Sequence, residues 1–260
     1  MIGIFDSGVG GMTVARAVEQ LLPGYPLLYL GDIARTPYGT KSARTIIDYS
    51  VENTGFLVQN GAKVIVIACN SASSVATERL RLEFNIPIIE VITPAVEQAL
   101  ATSRTGRIGV IGTRATIRSG VYEDKIRRQC PDYKVFSKAC PLLVPLVEEG
   151  WINKRETKMI LRRYLHELKD QQLDTLILGC THYPLLKPLI QARIGKNVRL
   201  IDSSAATALF LKNSLEKHAA CTPLPDHQPD QNRFFVTDLT ATATAIAGKI
   251  FGRTVELLPV

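Results

Sequence analysis

Short unbroken apolar runs alternate along this chain with longer segments in which apolar residues recur every three or four positions. The runs are closed by glycine, asparagine or a charged residue and read as buried strands; the longer segments read as helices with one apolar face. On this pattern strands are expected over 2–7, 27–30, 64–68, 87–91, 107–113, 133–137, 173–178, 198–201 and 233–237. Helices are expected over 12–22, 42–59, 73–84, 116–129, 157–169, 189–194, 205–218 and 241–251. Pro23-Gly24 and Asn60-Gly61 act as stops. Residues 34–39 form a polar loop with Pro37-Tyr38-Gly39, 141–150 a loop or short helix, and 221–232 a polar loop rich in proline.

Strand–helix alternation implies mostly parallel sheets, right-handed crossovers and ligand-facing loops at the carboxyl ends of the strands. The chain also resembles itself. Gly3-Ile4-Phe5-Asp6-Ser7 aligns with Gly109-Val110-Ile111-Gly112-Thr113 at an offset of 106, and Val64 to Ser71 matches Thr175 to His182, placing two cysteines 111 residues apart. The expected fold is α/β, with two similar domains, each a mostly parallel sheet flanked by helices, and the active site in the cleft between them. The first domain comprises 1–93 plus 206–260 and the second 94–205, because the last stretch has no counterpart in the repeat.

Composition narrows the class. At 260 residues, 46% hydrophobic and 21% charged, the chain has ordinary globular values and enough length for one large domain or two of about 100 residues or more. A formal charge of +7 is spread among acids, as in Lys125-Ile126-Arg127-Arg128, and reads as solvated helix faces; no nucleic-acid partner is expected. The amino terminus runs straight into an apolar strand, and no apolar run approaches a membrane span, so a cytoplasmic chain without a membrane partner is expected. Five widely spaced cysteines, Cys69, Cys130, Cys140, Cys180 and Cys221, do not form a secreted disulfide pattern.

Cys69 and Cys180 each end a buried-looking strand and precede small polar residues, Asn70-Ser71 and Thr181-His182. A lone cysteine in such a place is commonly a small buried hydrophobe. Two in matching settings point to a pair of thiols facing one site, with polar side chains and helix amino termini lowering their pKa toward neutrality. A zinc site is disfavoured, since Cys180-Thr181-His182 offers too few ligands and no Cys-x-x-Cys occurs. A hydrolytic Cys–His pair would leave the second cysteine without a role. Asp6 and Ser7 precede Gly8-Val9-Gly10-Gly11, which is neither a dinucleotide fingerprint nor a P-loop. That loop suits a carboxylate, and Asp6 reads either as part of the site or as a capping residue. Glu148 and Glu149 close an apolar stretch; among the histidines His182 has the strongest claim, while His166, His218 and His227 read as surface.

Together Phe5-Asp6-Ser7-Gly8-Val9-Gly10-Gly11, Gly31-Asp32 with Pro37-Tyr38-Gly39, Ala68-Cys69-Asn70-Ser71-Ala72-Ser73, Val147-Glu148 and Gly179-Cys180-Thr181-His182-Tyr183-Pro184-Leu185-Leu186 resemble the glutamate racemases of the aspartate/glutamate racemase family. Ser71 departs from the threonine commoner there but keeps the hydroxyl. The resemblance implies interconversion of L- and D-glutamate for peptidoglycan synthesis, without pyridoxal phosphate, metal or other cofactor, and a homodimer. It implies that Cys69 removes the proton from D-glutamate and Cys180 from L-glutamate, assisted by Asp6 on the Cys69 side and by Glu148 and His182 on the Cys180 side. Substrate would be held by Asp6, Ser7, Tyr38, Gly39, Asn70, Ser71, Thr181 and His182. An aspartate racemase of the same family and a non-catalytic amino-acid-binding protein are the alternatives.

Overall fold

The computed structural model describes residues 1–217 and 221–260; His218, read above as a surface residue, lies outside the described residues. The first series of elements is Ile2–Asp6 (β1), Met12–Leu21 (α1), Leu27–Gly31 (β2), Ala43–Gln59 (α2), Val64–Ile67 (β3), Asn70–Glu83 (α3), Ile88–Glu90 (β4) and Ile92–Thr102 (α4). The second is Arg107–Gly112 (β5), Arg114–Arg118 (α5), Val121–Gln129 (α6), Lys134–Ala139 (β6), Leu143–Glu148 (α7), Arg155–Asp170 (α8), Thr175–Gly179 (β7), Lys187–Ile194 (α9) and Arg199–Asp202 (β8). Ser203–Lys217 (α10), Arg233–Val236 (β9), Ala241–Phe251 (α11) and Leu257–Pro259 (β10) complete the chain.

The strands form a six-stranded sheet in the order β10-β9-β2-β1-β3-β4 and a four-stranded sheet in the order β6-β5-β7-β8, with every pairing parallel. Four strands of the first sheet thus repeat the order of the whole second sheet. In both, the chain reverses its direction of travel between the first and third strands of the repeat, β1 and β3 or β5 and β7. A crevice opens beyond the carboxyl ends of strands at such a switch point. Cys69 and Cys180 stand just past β3 and β7, the equivalent strands of the two repeats.

Side-chain alternation along each strand divides the core. Ile2, Ile4, Leu27, Tyr29, Val64 and Val66 share one apolar cluster with Ile108, Val110 and Ile177 of the other sheet, joined through Ile92, Ala95, Val96 and Ala99 of α4 and Leu211 and Leu215 of α10. The opposite faces pack separately: Phe5, Leu28, Leu30, Ile65 and Ile67 with residues of α2 and α3, and Ile111, Leu176 and Leu178 with α7, α8 and α9. The two sheets therefore share a core on their inner faces, and the cleft lies at its carboxyl-end rim.

Three local differences from the sequence expectation have physical causes. The helix expected over 116–129 is split into α5 and α6 at Ser119-Gly120, where Gly120 adopts φ 69°, a left-handed conformation that glycine accepts without penalty. α3 begins at Asn70 rather than Ser73 because its first turn presents polar side chains to the cleft, so apolar periodicity starts a turn late. β10 pairs only with β9 at the sheet edge and is three residues long, too short to announce itself by pattern.

Candidate active site

The cavity between the two sheets is lined from the six-stranded side by Ser7, Tyr38, Gly39, Cys69, Asn70 and Ser71, with Thr36 and Pro37. Thr113, Val144, Cys180, Thr181 and His182 line it from the four-stranded side. Nine of the expected site residues thus meet in one place. Its enclosed room is only about 20 Å³, on the order of one water molecule. A larger groove of about 430 Å³, between α8 and α9, is lined by Arg162, Leu165, His166, Lys169 and Arg193 and carries neither thiol nor carboxylate. Among the described residues no group of three or more His, Cys, Asp or Glu side chains is placed to hold a metal ion.

Cys69 occupies the N-cap position of α3 and is 4% exposed. Its Sγ lies 3.5 Å from the Ser7 hydroxyl. Burial, followed by the nearby Asp6 carboxylate, pushes this thiol up to about 12, against the Ser7 hydroxyl and the Ala72 N–H, which favour the thiolate. This corrects the sequence expectation of a lowered thiol pKa: a helix amino terminus is present, but desolvation outweighs it.

Asp6 and Glu148 stand behind the cleft rather than on its wall. Asp6 is fully buried at the end of β1; its Oδ2 accepts from the Gly8 and Gly11 N–H groups at 3.1 and 3.0 Å, and its Oδ1 from the Thr181 hydroxyl at 3.4 Å. One oxygen of the carboxylate thus holds the Gly8–Gly11 loop and the other meets Thr181 from the opposite half. Burial raises its pKa above the usual carboxylate range, opposed by His182 and these donors.

Cys180 Sγ is 4.0 Å from His182 Nδ1, and His182 Nε2 is 3.2 Å from Glu148 Oε1, an ion-pair contact rather than a well-aligned hydrogen bond. Burial of His182 opposes its positive charge, but the Cys180 sulfur and Glu148 on either side overcome it and raise the imidazole to about 10. Glu149 is exposed, as is His166, and His227 is half-buried with Nε2 2.8 Å from Asn232 Oδ1.

Tyr38 lines the cleft with a hydroxyl that is already partnered. Its hydroxyl is committed to Asp32 and accepts from Asn53 Nδ2 at 3.0 Å. Asp32 is itself buried, pairs with Arg35 Nε at 2.7 Å and accepts from the Thr237 hydroxyl at 3.1 Å, so it fixes the loop that carries Tyr38 and Gly39. Asn70 accepts from the Tyr122 hydroxyl at 2.6 Å, and its Nδ2 donor, buried in the cleft, has no partner among the described residues.

Thr113 was not singled out from sequence, yet its hydroxyl lies 2.8 Å from that of Ser71 across the cleft. The internal repeat carried the signal, because Thr113 aligns with Ser7 at the end of the equivalent strand. Thr36 and Val144 carried no such signal. The glycine-rich loop is explained by close approach: a Cβ on Gly10 would sit 2.5 Å from His182 Nδ1 and 2.6 Å from Thr181 Oγ1. A Cβ on Gly39 would sit 2.6 Å from Thr113 Cβ. Both glycines let the six-stranded half press against the four-stranded half at the site.

The chain matches the family described as Asp/Glu/Hydantoin racemase over residues 12–211. It is 46% identical over 256 residues to a glutamate racemase from Persephonella marina, covering 98% of this chain and 95% of that protein. The structure is similar to that of a glutamate racemase isoform from Bacillus anthracis, with a TM-score of 0.95 and 36% identity, covering 100% and 97% of the two chains. It is also similar to a Francisella tularensis glutamate racemase in complex with D-glutamate, with a TM-score of 0.91 and 34% identity, covering 100% and 96%. Two thiols on equivalent strands, a shared cleft and matches of this extent have one reading: the chain belongs to the Asp/Glu/hydantoin racemase family.

Proposed function

We propose that this protein racemises glutamate by moving one proton off the α-carbon on one face and another onto the opposite face. The observation that carries the reading is the arrival of Cys69 and Cys180, from equivalent strands of two sheets, at the walls of one buried cleft. Inversion at carbon asks for two acid/base groups flanking a planar carbanion, one deprotonated and one protonated at the start. Cys69 takes the proton from D-glutamate and Cys180 from L-glutamate.

The two sulfurs face different surroundings. Burial and Asp6 keep Cys69 a thiol, while Cys180 lies beside a cationic His182. With L-glutamate the α-proton goes to Cys180 while Cys69, held as a thiol, delivers its own to the other face. For D-glutamate Cys69 must first give up its proton, and the positive charge of the substrate ammonium eases that ionisation. Glu148 holds the imidazolium, and Asp6, through Thr181 and the Gly8–Gly11 loop, holds the two walls in register. Ser7, Tyr38, Gly39, Asn70, Ser71, Thr181 and His182 hold the substrate, with Asp6 behind them.

An amino acid does not fit the room in the closed cleft, so entry requires the halves to part, and closure then keeps solvent from reprotonating the carbanion on the wrong face. The parting bodies are proposed to be 1–93 with 206–260 and 94–205. Supply of D-glutamate to peptidoglycan, a cytoplasmic location and a homodimer belong to the same proposal and rest on the family resemblance. No described helix is long and apolar enough to cross a membrane.

Purified protein incubated with L-glutamate in deuterated water tests the activity: loss of optical activity with one deuterium entering each inverted molecule is expected. Retention of the L form over long incubation, or faster turnover of aspartate than of glutamate, would defeat the glutamate reading.

A further inference from the structure

Asn70 is the first residue of α3, is 2% exposed, and lines the cleft from the six-stranded side. Its amide is half-satisfied: Oδ1 accepts from the Tyr122 hydroxyl at 2.6 Å, whereas Nδ2 meets no acceptor among the described residues. A buried amide donor without a partner is costly, and native structures rarely keep one that has no use. The two ends of an Asn amide have nearly the same shape, so a half-turn about its terminal bond would exchange donor for acceptor at little steric cost.

Tyr122 opposes that half-turn. It comes from α6 in the four-stranded half and is 2% exposed. Its ring is wedged under the end of β7, where a Cβ on Gly179 would lie 3.2 Å from the Tyr122 Cε2 atom, so it has little freedom to swing away. Burial, then Glu90 and Cys180, hold its hydroxyl protonated well above the ordinary tyrosine range. The phenol keeps its proton, and the Asn70 oxygen is the acceptor it meets among the described residues; a turned amide would leave that O–H without one.

We propose that Tyr122 is a positioning residue that locks the Asn70 amide with Nδ2 facing the cleft, where it donates to a carboxylate of the bound amino acid. The inference rests on the glutamate reading above and adds a residue from the opposite half. Because the Tyr122–Asn70 bond spans the two halves, the donor is set in its final orientation only when they are together. Both enantiomers present the same carboxylates, so the lock serves both directions equally.

Tyr122→Phe keeps the ring and removes the hydroxyl. With wild-type racemisation of glutamate measured first, the expected result is a rise of roughly three- to tenfold in KM for L- and D-glutamate alike, the loss expected for one hydrogen bond, with kcat and the pH profile little changed. In an Asn70→Ala background the same substitution is expected to add no further change, because Tyr122 acts only through Asn70. Unchanged KM, or an equal KM increase with and without Asn70, would overturn the lock while leaving the racemase reading intact. A wild-type protein inactive on glutamate would overturn both.

Discussion

Cys69 and Cys180 hold matching places in two sheets of the same strand order, yet the groups facing their sulfurs differ in sign. Cys69 has the Ser7 hydroxyl and the amino terminus of α3 beside it and the Asp6 carboxylate nearby; Cys180 has an imidazole flanked by Glu148. A duplicated scaffold delivers two thiols to opposite walls, but equivalent side chains on both would give both sulfurs the same preferred protonation state. A two-base inversion requires opposite states. The asymmetry therefore lies in residues that the repeat does not duplicate: Asp6 aligns with Gly112, and His182 with Ser71.

The largest expected effect comes from removing either sulfur. Cys69→Ser and Cys180→Ser should each lower kcat by at least roughly 10³-fold, since each takes away a whole proton-transferring group, while leaving the melting transition nearly unchanged. Substantial turnover by either variant would strike that cysteine from the mechanism. Gly10→Ala comes next. Its new methyl group must displace the His182 ring or the Thr181 hydroxyl, so a loss of activity in both directions with a destabilisation of about 1–3 kcal/mol is expected from steady-state assays and thermal melts. Full activity would show that the two loops need not touch.

Smaller effects sharpen the comparison itself. Because the substrates are mirror images the equilibrium constant is unity, and kcat/KM must fall by the same factor in both directions in any variant. His182→Asn is nevertheless expected to enlarge the α-hydrogen isotope effect on kcat more for L-glutamate, and Asp6→Asn more for D-glutamate. Identical isotope effects in both directions for both variants would make Asp6 and His182 structural.

The raised His182 pKa also fixes a sign for stability. The folded protein retains a proton there that the unfolded chain releases near 6.5, so this contribution is fully present below pH 6.5 and is lost as pH rises through about 10. The difference in melting temperature between wild type and His182→Gln should shrink across that window; a difference that grows would reverse the assignment of charge. The smallest expected effect is none: a chelator should leave the racemisation rate unchanged, because two thiols suffice for the proton transfers. Loss of rate restored by added zinc would refute this.

Much of the scaffold could be read from pattern. The hydrophobic runs located the strands β1 to β9, the self-alignment anticipated two sheets of equivalent build, and the polar residues after two strands marked Cys69 and Cys180. These features are local, fixed by burial on both strand faces and by what a chain can do at a strand's end. The split at Gly120 was hidden because one residue's backbone conformation leaves no periodic trace.

The sequence by itself determined which chemical groups were available and that they would come as a pair. Only the tertiary structure decided how they act. Burial turned the expected fall of the Cys69 pKa into a rise, because desolvation depends on everything packed around a sulfur and not on its neighbours in the chain. Folding placed Glu148 behind His182 instead of on the cleft wall, divided the two oxygens of Asp6 between a loop and Thr181, and tied the Tyr38 hydroxyl to Asp32. It brought Thr113 and Tyr122 across from the other half to Ser71 and Asn70, residues 42 and 52 positions away. Such pairings depend on how two sheets share a core, a long-range outcome that no local spacing encodes.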